Sequence, residues 1–255
     1  MRLSLFEIET ILKAKNSVFG EEAKIYLFGS RTDDSKKGGD IDLYVQTGAC
    51  DSLLDKKIEF LSLIEQALGE QKIDVVFDGN KNRAIDIEAK TNGIELNIDA
   101  IKLQKYFDEC DKHLQRIKEA YGDIERILPI STEKYQQLGK DDVQAIDQYL
   151  FRFAKLQDTL GDKIFRALIR QYEDNGDTLS FIDVLNRLEK IGFLSSAKEW
   201  SALRRIRNEI SHQYDDEPDG MSQAINQIMN QKSVIEEIYL KVKNKYQDSS
   251  RQRRS

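Results

Sequence analysis

Residues 28–45 read FGSRTDDSKKGGDIDLYV, and this stretch decides how the rest of the chain is read. A short apolar run, Lys24–Phe28 (KIYLF), leads into Gly29-Ser30-Arg31, and a polar loop carries the chain to Asp40-Ile41-Asp42-Leu43-Tyr44-Val45. Both apolar runs have the length and alternation of strands, whose successive side chains point to opposite faces. Asp40 and Asp42 then share one face, while Ile41, Leu43 and Val45 share the other. Two carboxylates about 6–7 Å apart along a strand repel each other. A divalent cation such as Mg2+ removes that cost, since it binds through one or two carboxylates together with substrate phosphates. Gly29 lets the backbone approach a ligand closely, Ser30 offers a hydroxyl, and Arg31 offers a planar cationic fork suited to phosphate.

Outward from this stretch, residues 4–19 form an amphipathic helical pattern. Leu54, Ile58, Leu61, Ile64 and Leu68 recur every three or four residues, predicting a helix with one buried face that Gly69 ends. Ile73–Phe77 (IDVVF) is the third predicted strand. Its Asp74 alternates with Ile73 and Val75 and can face the cleft of Asp40 and Asp42, with Asp78 a weaker competitor. A further helix is expected over Asn82–Lys90. From about Asn97 the alternation stops and only helical periodicity remains. One long helix runs from Leu103 to Leu128, stopped by Pro129, and Pro129–Asp142 reads as a polar loop. A second long helix carries Val143 to Ala167. Others cover about 179–190, 196–213 and 221–246. The expected organisation is an α/β domain with a small mixed sheet over 1–97, an all-α bundle over 98–247 and a disordered basic tail over 248–255.

Composition narrows the function classes. The net charge of -6 argues against bulk nucleic-acid binding, though not against a local site. The two cysteines, Cys50 and Cys110, lack metal-ligand spacing and fit a reducing compartment. The segment MRLSLFEIETILKAKN carries acidic residues inside a helical pattern and reads as neither a secretory signal nor a membrane span. No apolar run reaches about 18 residues, so a soluble cytoplasmic protein without membrane contact is expected. His113, among Asp111, Lys112 and Gln115, reads as a surface residue. Trp200 and most other aromatics read as core.

A second cluster lies late in the helical part, in Arg207-Asn208-Glu209-Ile210-Ser211-His212-Gln213-Tyr214. On a helix, Arg207 and Tyr214 fall near one stripe, and Asn208 and His212 are neighbours four residues apart. His212 can move a proton near neutral pH, Arg207 can stabilise charge on a phosphate, and Asn208 can orient either.

Strand, Gly29-Ser30, loop, then Asp40-x-Asp42 on the next strand resembles the signature of the DNA-polymerase-beta-like nucleotidyltransferases, in particular the minimal nucleotidyltransferase (MNT) domain. The resemblance implies that Gly29 and Ser30 hold the β- and γ-phosphates of ATP and that Asp40 and Asp42 hold Mg2+, with a two-metal site. It implies that Asp74 is the third carboxylate, completing the metal site and serving as general base. The run Arg207-x4-His212-x-Tyr214, with Arg152–Ile169 and the stretch from Leu185 to Tyr214, is similar to the HEPN family. That resemblance covers most of residues 99–245. It implies a metal-independent endoribonuclease in which Arg207 and His212 act on the phosphodiester of an RNA, tRNA or mRNA, with two copies meeting in a homodimer through the helical domain.

MNT and HEPN proteins commonly occur as neighbouring antitoxin and toxin, in which the enzyme transfers AMP from ATP to the motif tyrosine. The resemblance therefore implies a fused toxin–antitoxin protein with Tyr214 as the modified residue, in cis or within a dimer. A fusion fixes the two activities at one to one, which makes a permanently restrained or inactive nuclease a consistent outcome. The alternative is a small-molecule nucleotidyltransferase of the aminoglycoside-modifying type, whose bundle only binds substrate and dimerises. A third reading leaves the bundle as a docking module without chemistry.

Overall fold

The structure, a computed structural model, describes residues 1–33, 35–36, 38–48, 51–78, 83–173, 178–210 and 218–252, with side chains to residue 249. The chain is mostly helical, with one small mixed sheet in its N-terminal part. It divides into two compact units, Met1–Ile101 and Lys102–Ser255.

The first unit opens with α1 (Leu5–Phe19), whose N-terminus is fixed by a capping box. Ser4 Oγ accepts from Glu7 N at 3.2 Å, and the Glu7 carboxylate accepts from Ser4 N at 2.7 Å. β1 (Lys24–Phe28) and β2 (Ile41–Gln46) form an antiparallel pair. β3 (Ile73–Phe77) adds to β2 in parallel after α2 (Leu53–Leu68), a βαβ crossover. Next come α3 (Ala84–Asn92) and β4 (Ile94–Glu95), which pairs antiparallel with β1 and gives the order β3-β2-β1-β4. Ile25, Leu27, Ile41, Leu43, Val45 and Val75 line one face of the sheet. They form a core with Ile8 and Ile11 of α1 and Phe60 and Ile64 of α2. The opposite face carries Tyr26, Tyr44, Asp42 and Asp74. Tyr44 is fully buried there, and burial together with the Asp86 carboxylate in α3 pushes its phenol pKa up to about 12.

Two details depart from the sequence reading. The two-residue β4 lies where no strand is predicted. Leu54 and Ile58, placed on the buried stripe of the second helix, are 71% and 61% exposed, whereas Ile64 of the same stripe is buried and is joined inside by Phe60, which the stripe omits.

The second unit is helical. α4 (Ile98–Ile124) begins against the first core, where Ile98 and Ile101 pack, and continues through the second unit. After a 3-10 turn and a cis Leu128-Pro129 bond come α5 (Thr132–Gln136), in the segment expected to be loop, and α6 (Lys140–Asp158). The predicted second long helix is continuous but not uniform. A π-helical segment, Thr159–Phe165, separates α6 from α7 (Arg166–Arg170). α8 (Phe181–Lys190) and α9 (Ala197–Ile210) follow. The predicted final helix is two helices, α10 (Pro218–Met229) and α11 (Lys232–Gln252), so residues 248–252 belong to α11 rather than to a loose tail. Phe107, Cys110, Phe153, Leu156, Ile164, Phe165 and Trp200 sit at the centre of this core. No helix among the described residues is long and apolar enough to cross a membrane.

Candidate functional site

The site grows from the end of β1. Phe28 pairs with Asp42 on one side of β2, and Asp42 pairs with Asp74 on the other. Residues paired across parallel strands point the same way, so the Asp42 and Asp74 carboxylates stand side by side. Asp40 lies one residue before β2. At that level the neighbour across the parallel register is Lys72, whose carbonyl accepts from Ile41 N at 3.0 Å. The Lys72 ammonium pairs with the Asp40 carboxylate. This cation had no role in the sequence reading, and only the register reveals it.

Gly29 begins a 3-10 turn, Gly29–Thr32, with φ +72°, a conformation glycine adopts at little cost. A Cβ built there would fall inside the Asp42 carboxyl group, 2.9 Å from its Cγ. The turn and the carboxylate are therefore packed against each other without a gap. Ser30 is treated likewise by the returning loop, since a Cβ on Gly38 would lie 2.9 Å from Ser30 Cβ.

Arg31 has a different task from the one its type suggests. Its guanidinium donates to Gly39 O at 3.2 and 2.5 Å, to Arg2 O at 3.3 Å and to Glu7 Oε1 at 3.3 Å. Arg2 donates to the carbonyls of Ser30 (3.1 Å), Asp33 (3.4 Å) and Gly38 (3.0 Å). Two guanidiniums thus brace the loop through its carbonyls, and Arg31 is spent on shape. Asp78 is likewise structural: its carboxylate accepts from the backbone N–H groups of Thr47 (3.0 Å) and Gly48 (3.2 Å).

Burial raises the pKa of Asp42, and the neighbouring charges of Asp74 and Asp40 raise it further. Hydrogen bonding to Asp40 raises that of Lys72. Among the described residues no three His, Cys, Asp or Glu side chains gather tightly enough to enclose an ion, in keeping with Asp40 being drawn to Lys72. The donor chemistry nonetheless suits Mg2+: oxygen ligands only, and like charges whose mutual repulsion a hard cation relieves.

In the helical unit, Arg207 lies on α9. Its Nε donates to Gln157 Oε1 at 3.1 Å, and its Nη2 pairs with Asp158. Both partners sit where the α6 ladder changes to the π segment, so Arg207 clips α9 to that irregularity. Asn208 faces elsewhere, into a cleft between α8 and α9. His212 and Tyr214 lie outside the described residues. His113 is not a surface residue. It is 8% exposed, with Arg152 Nη1 3.4 Å from its Nδ1 and the Glu109 carboxylate 3.7 Å from its Nε2. Burial and the Arg152 charge hold its pKa below the ordinary value, so it is neutral at pH 7. Glu109 also accepts from Lys163 at 3.0 Å and from Thr159 Oγ1 at 3.3 Å, tying α4 to the π segment. The sequence neighbours of His113 are polar, but Arg152, which packs on its ring, is 39 residues away, so a local reading misses it.

No protein family, curated protein or solved structure matches this chain.

Proposed function

We propose that the first unit is a nucleotidyltransferase that transfers AMP from ATP to a hydroxyl acceptor. Tyr214 is the acceptor, and the helical unit is a ribonuclease silenced by the modification. The observation that carries this reading is the packing of the Gly29 turn onto Asp42, with Asp74 beside it in register. A glycine turn packed on one carboxylate, with a second like-charged carboxylate beside that one in register, suits a triphosphate accompanied by a divalent cation better than it suits any structural task.

Asp42 and Asp74 would hold Mg2+, joined by Asp40 once released from Lys72. The ion would screen the phosphates and stabilise charge on the leaving pyrophosphate. Gly29 admits the polyphosphate to the backbone, and Ser30 Oγ donates to it. Asp74 takes the proton of the attacking hydroxyl as its oxygen bonds to the α-phosphorus and the bond to pyrophosphate breaks. On Tyr214 the added phosphodiester would bring bulk and negative charge next to Arg207 and His212 in the sequence.

Intact mass after incubation with ATP and Mg2+ tests this. The expected result is a gain of one AMP, mapped to Tyr214 and lost in Asp42→Ala. Absence of any adduct on phosphate-free starting protein would overturn it. For the nuclease half, the Asp42→Ala protein should cut RNA and the additional His212→Ala change should abolish cutting. Persistence of cleavage would remove His212 from the reading.

A further inference from the structure

The cleft between α8 and α9 has a volume of about 530 Å3, in the range of small-molecule sites. Leu185 forms its floor, Phe181 and Ile182 one wall, and Arg204, Arg205 and Asn208 the other. Ile182 is more than half exposed, so the apolar wall is open to solvent. The charged groups are unevenly matched. Arg204 lies over the Phe181 ring at 5.0 Å, Arg166 lies over the same ring at 6.0 Å, and Arg205 meets Glu209 at 3.7 Å across one exposed helical turn. Glu209 is the one acid on the lining, set against Arg204 and Arg205 there and Arg166 beside it. Among the described residues Arg204 has no carboxylate partner, and its contact is the phenyl face.

A guanidinium already stacked on a ring presents a second flat face, which is a platform for a planar heterocycle. Arg205 can exchange the solvent-exposed Glu209 for a phosphate, a better bidentate partner. Asn208 supplies one acceptor and two donors at the rim, the set that reads a base edge. An apolar ligand would leave these arginines unanswered, and a bare anion would leave Phe181 and Ile182 in water.

We propose that this cleft binds one nucleotide unit, with its base on the Arg204–Phe181 stack and its phosphate on Arg205. A free nucleoside monophosphate and a residue of single-stranded RNA share that chemistry. Binding here uses the cleft's own residues and does not depend on nucleotidyl transfer.

The cleft has its own reporter. Trp200 is the only tryptophan of the chain. Its Cζ2 and the Phe181 Cζ lie 3.2 and 3.4 Å from one point, where a Cβ on Gly161 would be. Trp200 fluorescence of the full chain would be titrated with AMP, with adenosine and with a short single-stranded oligoribonucleotide. A saturable change is expected, its midpoint moved at least about tenfold by Arg204→Glu and less by Arg204→Lys, with adenosine weaker than AMP by a similar factor. An oligonucleotide midpoint well below that of AMP assigns the cleft to RNA, and equal midpoints assign it to the free nucleotide. No saturable change with either ligand overturns the proposal. So does an unmoved midpoint in an Arg204→Glu protein that is folded by circular dichroism, or adenosine binding as well as AMP. Because adduct formation is read by mass at Tyr214 and binding by Trp200 fluorescence, failure here and failure of the transferase reading give different signatures.

Discussion

Asp42 and Arg207 are both partly buried charged side chains, and their surroundings are opposite in kind. Asp42 faces Asp74 and Asp40, and its pKa is raised by burial and by those two acids. Arg207 lies between Asp158 and Gln157, which satisfy its guanidinium. The same contrast extends outward. In the helical unit Glu109 binds Lys163, Lys243 meets Asp111, and Arg152 faces a neutral His113. A charge answered within the fold is explained by the fold, whereas two neighbouring like charges on one sheet face cost stability that packing does not return. The first unit therefore presents a site in want of a ligand at Asp42, and the second presents at Arg207 a strut.

The sharpest way to break this contrast is Gly29→Ala. The new methyl would displace the Asp42 carboxyl and force a left-handed conformation on alanine, costing about 1–2 kcal/mol. Displacing a reacting group by about 1 Å costs on the order of a hundredfold in rate, so AMP incorporation followed by mass should fall by at least that much while the protein stays folded. Transfer within a few-fold of wild type would mean that the turn does not position Asp42.

Arg207→Ala tests the other side. Removing the guanidinium strands Asp158 and Gln157, and hydrogen bonds to charged groups contribute about 1.5–3 kcal/mol. Urea unfolding followed by Trp200, which reports the helical unit alone, should show a loss near the middle of that range. Unchanged stability would return Arg207 to the pool of groups free to meet a phosphate.

A smaller effect follows from the pKa of Asp42. Its native value is raised, so the folded chain holds that proton more tightly than the unfolded chain does. Stability then falls as pH rises from the ordinary carboxylate range through the raised native value, and the deficit persists at neutral pH. Asp42→Asn should therefore stabilise the first unit at pH 7, by about 0.5 kcal/mol once solvent screening is allowed for. It should make no difference below about pH 3, where both states are protonated. Thermal melts of the two proteins across this range give the comparison. A destabilised variant at pH 7 would show that the carboxylate is answered within the fold after all.

The carboxylate side of this contrast is legible in the sequence, and the paired side is not. Alternation in IDLYV and IDVVF places Asp42 and Asp74 on strands, and the short apolar KIYLF ending at Gly29 places the turn, because these signals are local. Arg31 escapes such a reading: its type suits phosphate, but its partners are the carbonyls of Gly39 and Arg2, set by a loop closure that no periodicity encodes. Leu54 and Ile58 mislead for the opposite reason: helical spacing rightly buries Ile64, but the packing of α2 draws in Phe60 and leaves those two exposed. The π segment is hidden because Leu160, Ile164 and Ala167 keep a spacing compatible with an unbroken helix. The two-residue β4 is too short to alternate at all.

Lys72 offers the finest test, because its ammonium pairs with Asp40 and partly answers the acidic edge from within the protein. Its pair with Asp40 is largely exposed, so Lys72→Met should leave stability nearly unchanged. Its effect on function should exceed that. The ammonium neutralises the carboxylate that the proposed ion must recruit, and any cation entering beside Asp42 and Asp74 has to displace it. Without Lys72, Asp40 is free to turn toward the other two carboxylates, and one positive charge leaves the approach. The Mg2+ concentration giving half-maximal AMP incorporation should therefore fall severalfold, with the stability of the metal-free protein nearly unaltered. A half-maximal concentration that rises instead would make Lys72 a ligand for the phosphates rather than a rival of the metal. The contrast between an unanswered edge and a self-paired bundle would then have to be redrawn with Lys72 inside the site.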